Sequence, residues 1–194
     1  MGFRCSGHIP SKEVEKILQD NLDLLDVVYK TNDFIATHAG LTRLWLDACK
    51  NIYSINNLDE ILDKINSLFH EKDRDIMNYL SEASITSGCP YSIIASCLWA
   101  RPEDHKYAPL YLGRDQIVGH TPITTKIGDS VLDVKLGKSE LNGKIFYIDT
   151  FSTYRDSGES IGKNDILIFD NETKSYSSLN LITWKEDFIC KKEN

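Results

Sequence analysis

The stretch "FIATHAGL", residues 34–41, decides how the rest of the chain is read. Phe34, Ile35, Ala36 and Thr37 lead straight into His38, and Ala39 and Gly40 follow. This is a strand that delivers an imidazole into a turn made of the smallest residues. "QIVGHTP", residues 116–122, has the same grammar: a β-like apolar run, Gly119, His120 and a tight turn. In sheet-centred α/β proteins, ligands gather where strands end. Glycine lets a backbone approach closely and take unusual dihedrals. A metal-bound imidazole needs a fixed ring and an uncrowded path to the ion. Either histidine alone reads more naturally as structural; two identical local patterns point to one shared site.

Working outward, residues 11–29 read as a helix. Ser11 is its N-cap after Pro10, and Val14, Ile17, Leu18, Leu22, Leu25 and Val28 recur at helical spacing. "TND" at 31–33 is a turn. Residues 41–50 continue as a short helix. From 57 to 82, Leu58, Ile61, Leu62, Ile65, Leu68, Phe69, Ile76 and Leu80 mark two amphipathic helices. "TSGCP" breaks the chain, and "YSIIASCLWARPED" is an apolar run ending in a polar turn. The second half reads as strands: "QIVGH", "SVLDVKLG", "KIFYIDT", "DILIFD" and "SYSSLNLITW", with turns at Gly137, 141–144 and 170–174 between them. The expectation is one mixed α/β (α+β) domain over residues 1–194, sheet-centred, with a helical insertion at about 45–90. That insertion is either a cap over one sheet edge or filler packed on the sheet.

Composition bounds the function. A chain of 194 residues can bury one sizeable core. It is 41% apolar and 26% charged, as ordinary globular proteins are. A net charge of -7 argues against a nucleic-acid partner, which needs a basic footprint. It also means that phosphate chemistry would need local cations. No run of 18 apolar residues is present, so no membrane span is expected. The start, "MGFRCSGHIP", has no apolar signal region. Gly2 and Ser6 fit the short N-myristoylation pattern, although the bulky Phe3 counts against it. Cys5, Cys49, Cys89, Cys97 and Cys190 form no CxxC pair, which suggests reduced thiols and a cytoplasmic location.

The other histidines read as structural or surface residues: His8 near the terminus, His70 in "FHEKDRD", and His105 in the polar loop after "RPED". "CLWARPED", 97–104, places Arg101 between Trp99 and Pro102. Packing on one side and a rigid turn on the other would hold the guanidinium as a bidentate phosphate clamp. The competing reading is a surface salt bridge from Arg101 to Glu103 or Asp104. "SGESIGKND" at 157–165 is not a P-loop. Ser157 stands where the first glycine belongs and Asn164 where Ser or Thr is required, so it reads as a solvated turn.

In the order "FIATHAGL", "LWARP", "IVGHTP", "IFYIDT", the chain resembles the C-terminal half of the calcineurin-like metallophosphoesterases, over about residues 30–175. It looks most like the bacterial and phage branch of the serine/threonine protein phosphatases, whose relatives include diadenosine tetraphosphatases. The resemblance implies part of a metallophosphoesterase β-sandwich flanked by helices, and a two-metal site of manganese, iron or zinc. It implies His38 and His120 as ligands of the second metal and Arg101 as the substrate-phosphate residue. The small residues beside His38 would then leave room for an ion and a phosphate. In such sites two metals about 4 Å apart hold a bridging hydroxide that attacks phosphorus in line.

The sequence departs from the family upstream. An Asp-x-His pair, a Gly-Asp followed by Asp-Arg-Gly, and Gly-Asn-His-Glu supply the first metal's ligands and the catalytic acid in that family. None lies among the 37 residues before His38. The chain therefore holds ligands for only one of the two metals and reads as the C-terminal part of a longer enzyme. Asp149 in "YIDT" is followed by Thr150 and Phe151 where Thr-Gly is usual. It reads either as an outer group orienting a ligand or as a structural turn aspartate. His38 and Arg101 lie 63 positions apart, a longer gap than the resemblance leads one to expect.

The expected function is metal-dependent phosphomonoester hydrolysis, on phosphoserine or phosphothreonine in a protein, and weak or absent in this chain alone. A small phosphoester or a nucleotide polyphosphate is the alternative substrate. The rival from another class is a catalytically dead phosphate-recognition or interaction module. A missing N-terminal half would leave sheet edges and apolar surface exposed, to be covered by that half or by self-association.

Overall fold

The structure, a computed structural model, describes residues 12–89, 91–134, 143–154 and 156–181. Five short strands build a mixed sheet: β1 (Val28–Lys30), β2 (Phe34–Thr37), β3 (Asp115–Val118), β4 (Val131–Val134) and β5 (Gly143–Tyr147). Their order is β1-β2-β3-β5-β4. β2, β3 and β5 run parallel, and β1 and β4 flank them antiparallel. A second sheet is the hairpin of β6 (Asp165–Asp170) and β7 (Ser175–Asn180). The fold is mixed α/β, as the alternation of elements implies.

Alternation along the strands assigns the two faces. Ile35, Gln116 and Ile145 share one face by register, as do Thr37, Val118 and Tyr147. Phe34 and Phe146 point the other way and meet the hairpin. Phe34 packs edge-on against Phe169 at 5.3 Å between centroids, and Phe146 lies 4.3 Å from Tyr176. The hairpin turn is held by Asp170, whose carboxylate accepts from the amides of Glu172 and Thr173 at 2.8 and 2.9 Å. Lys174, beyond it, pairs with Asp33 at 2.8 Å.

Helices of the β2–β3 connection cover the Ile35 face near β1 and β2. α1 (Lys12–Asp20) comes first, and α2 (Arg43–Tyr53), α3 (Leu58–His70) and α4 (Arg74–Leu80) carry the chain from β2 toward β3. Each of the latter three starts on a capping side chain that accepts from backbone amides: Thr42 for α2, Asn57 for α3 and Asp73 for α4. Their apolar stripes converge. Trp45, Leu46, Cys49, Ile61, Leu62, Ile65, Ile76 and Leu80 are buried with Val28, Ile35 and Leu41 in one core. Asn66 stitches α3 to β1: its side-chain oxygen accepts from Val27 and Val28 amides, and its amide donates to the Val28 carbonyl. The stretch at about 45–90 is thus largely helical. Its helices form the crossover between two adjacent parallel strands and fill the core on the β1–β2 end of one face.

The helix expected over 11–29 is shorter. Ser11 lies outside the described residues; α1 ends at Asp20, Leu22–Leu24 form a 3-10 turn, and Val28 belongs to β1. Asn21 leaves helical geometry (φ -124°, ψ 22°) and Leu25 is extended. Burial of Val28 under Asn66, in the β1 ladder, outweighs the helical spacing that placed it on α1. The 157–165 stretch is a loop in which Asn164 takes a left-handed conformation, φ 57°.

Candidate functional site

β2 and β3 are parallel neighbours, so their C-terminal ends open on the same edge of the sheet. His38 is the first residue past β2 and His120 the second past β3. The Gly119 amide donates to the His38 carbonyl at 2.9 Å, which joins the two exits. His120 is left-handed at φ 65°, a conformation that costs a non-glycine residue about 1–3 kcal/mol. That turn brings its ring toward His38: His38 Nε2 and His120 Nδ1 stand 3.0 Å apart. The Trp99 indole meets the His120 ring edge-on, with centroids 5.7 Å apart.

Arg101 and Asp149 act on the same ring. Burial lowers the His120 pKa most; the positive charges of His38 and Arg101 lower it further, and Asp149 opposes them. The neutral imidazole, the form that ligates metals, is thereby favoured. Arg101 precedes α5 (Pro102–Tyr107). Its Nε is buried and finds no hydrogen-bond partner among the described residues. The salt bridge to Glu103 or Asp104 is not formed, and among the described residues Arg101 makes no ion pair. The Asp104 carboxylate instead accepts from the Arg101 backbone amide at 2.9 Å. Asp149 accepts from the Ser152 hydroxyl at 2.6 Å while its carbonyl accepts from the Ile123 amide. It therefore holds its own turn and also bears electrostatically on His120.

His105 lies on α5, not in a polar surface loop. Pro102 followed by Glu103 and Asp104 is a helix-start signature, and a helix replaces the polar turn expected there. The side chain is 1% exposed, and its Nδ1 lies 2.9 Å from the Tyr147 hydroxyl at the end of β5. It also explains Gly40. A Cβ there would overlap the His105 ring at Nε2 and Cε1, and the residue has φ 100°. Ala39 is buried with Ala95 and Ala100, and its amide donates to the Cys97 carbonyl at 2.7 Å. The small residues beside His38 thus serve close packing of the 38–40 turn on the 95–105 segment. This packing accounts for their small size without reference to an ion or a phosphate.

His105 makes stability depend on pH. Burial pushes its pKa down to about 4 against the ordinary 6.5, although the nearby Asp104 pulls the other way. The folded state thus keeps the ring neutral while the unfolded chain takes up a proton below pH 6.5. The stability is complete above pH 6.5 and is lost as pH falls toward 4, by about 3 kcal/mol in all. His105→Gln should flatten that slope in urea unfolding between pH 7 and 4.5. An unchanged slope would show that other groups set it.

The chain was compared with protein-family models, with curated proteins and with solved structures, and no match was found in any of the three. Among the described residues no helix is long and apolar enough to cross a membrane.

The histidine geometry can be tested against a metal. At ligand bonds of ~2.1 Å, two imidazole nitrogens at right angles on one ion stand about 3.0 Å apart. The observed 3.0 Å fits that spacing. Among the described residues no group of three or more His, Cys, Asp or Glu is assembled. The same 3.0 Å contact is a hydrogen bond between the two imidazoles, and it fits two neighbouring ligands on a single ion.

Proposed function

We propose that this chain carries the second-metal and phosphate-binding part of a calcineurin-like metallophosphoesterase, acting on phosphoserine or phosphothreonine in proteins. The observation that carries the reading is the convergence of His38 Nε2 and His120 Nδ1 at 3.0 Å from the ends of two parallel strands. A divalent ion held there would supply Lewis-acid polarisation of a phosphoryl oxygen. His38 and His120 bind that ion, and Trp99 fixes the His120 ring. Arg101 offers its guanidinium to the phosphate, and Asp149 offsets part of the positive field on His120. The remaining metal ligands and the catalytic acid come from a segment carrying the Asp-x-His and Gly-Asn-His-Glu motifs, and the location is cytoplasmic.

The test is manganese binding and p-nitrophenyl phosphate hydrolysis by the 194-residue chain. Binding should be weak, should fall about tenfold or more in His38→Ala and His120→Ala, and turnover should be near background. Co-expression with a segment bearing the missing motifs should bring metal-dependent turnover. If it does not, the split-enzyme reading fails. Retained, Arg101-dependent phosphate binding without metal binding would instead identify a phosphate-recognition module, a reading favoured by the unpartnered Arg101 Nε.

A further inference from the structure

The segment that carries Trp99 and Arg101 has no regular structure of its own before α5, yet it is pinned by three hydroxyls from one short turn. That turn is the 3-10 helix Ile85–Ser87 with Ser84 before it. Ser84 donates to Asp104 Oδ1 and Thr86 to Asp104 Oδ2, each at 2.6 Å. Asp104 Oδ2 also accepts from the Arg101 backbone amide, and the Ser87 hydroxyl donates to the Trp99 carbonyl. Ser84 is fully buried and Asp104 only 6% exposed. A carboxylate this deep needs its hydrogen bonds, and here they cap the start of α5 and fix the backbone from which the guanidinium projects.

We propose that Asp104 is a positioning residue for Arg101, and that through Ser84 and Thr86 it ties the phosphate-binding arginine to the helical crossover. The inference rests on Arg101 as the phosphate residue. An amide at position 104 keeps the shape but cannot accept from all three donors, since its NH2 group donates. The Ser84 hydroxyl can turn to accept from that NH2, but the carboxylate's charge is gone and its hold on the Arg101 backbone in its extended conformation (φ -119°, ψ 166°) is weakened.

Inorganic phosphate binding to the full chain, followed by phosphorus NMR titration, tests this as a double-mutant cycle. Arg101→Ala and Asp104→Asn should each weaken binding about tenfold. Asp104→Asn should have no further effect in the Arg101→Ala background, because it acts only through that side chain. A merely structural Asp104 would lower the melting temperature and leave phosphate affinity of the folded protein unchanged, and that result would overturn the proposal. Equal, additive losses would overturn it too. Thr86→Val, which removes one bond and keeps the carboxylate, should give a smaller loss, about threefold. It decides the matter if Asp104→Asn does not fold: unchanged affinity there would sink the positioning role. Phosphate binding that is absent, or indifferent to Arg101→Ala, would overturn the reading of Arg101 itself and this inference with it.

Discussion

Trp45→Ala should cost the protein about 4–6 kcal/mol, most of the margin of an ordinary domain. Trp45 is 0% exposed and sits on α2 among Leu46, Ile61, Leu62 and Ile65, at the middle of the core that the helices share with Ile35. Its truncation alone costs about 3–5 kcal/mol by opening a cavity the size of an indole. The Nε1–H also donates to the Tyr79 carbonyl at 2.9 Å, at the end of α4. Losing it leaves the Tyr79 carbonyl only the longer bond from the Glu82 amide, at 3.3 Å, about 1 kcal/mol more. Urea unfolding measures the sum. Trp45→Phe should recover most of the packing part and none of the hydrogen bond. A loss below about 2 kcal/mol for the alanine variant would mean that the helical layer closes over the gap and that the core is looser than described.

Gly40→Ala should destabilise by about 3 kcal/mol or more, a large effect for the addition of one methyl group. Two causes add. The left-handed backbone, φ 100°, penalises any Cβ by about 1–2 kcal/mol. The methyl also collides with the His105 ring, which cannot retreat because it is buried and hydrogen-bonded to Tyr147. A double variant separates the two. In a His105→Ala background the collision is gone, and Gly40→Ala should cost only the backbone part. If the cost is the same in both backgrounds, the ring is not what the glycine accommodates. Because Gly40 is two residues from His38, the single variant should also weaken manganese binding more than its stability loss explains.

Helical spacing places α3 and α4, β-branched and aromatic composition places β2 to β7, and β1 is the strand that neither signal reveals. Phe34–Thr37, Asp115–Val118 and Gly143–Tyr147 alternate between two buried faces, and a run of β-branched and aromatic residues with turns on either side is visible one residue at a time. The helix over 11–29 was overextended because Val28 has a helical spacing to Leu22 and Leu25 but a better place in β1, and only the partner Asn66, 38 positions away, reveals that. The candidate site divides the same way. His38 and His120 were legible because each carries its own local signal, an apolar run into a glycine-bearing turn. Asp104, His105, Tyr147 and Gln116 were not. Gln116 is buried and bonds the Leu41 backbone 75 positions away, and His105 meets Tyr147 across 42. Such residues are defined by what they touch, and a single sequence does not say what touches what. Gly40 shows the converse: the glycine is conspicuous in the sequence, but its reason lies in a ring 65 positions further on.

The parallel pairing of β2 with β3 also sets the order in which this molecule can assemble. The two histidines are 82 positions apart, and every hydrogen bond that aligns them waits on closing a loop of that size around the whole helical layer. Local hairpins and helix pairs can form in microseconds, whereas contacts of such separation come late and slowly. The imidazole pair is therefore expected to align late in folding. If His38 and His120 hold a divalent ion as proposed, that ion acts on the last closure, as a clasp fastened after the garment is on. It should slow unfolding while leaving the early refolding rate untouched.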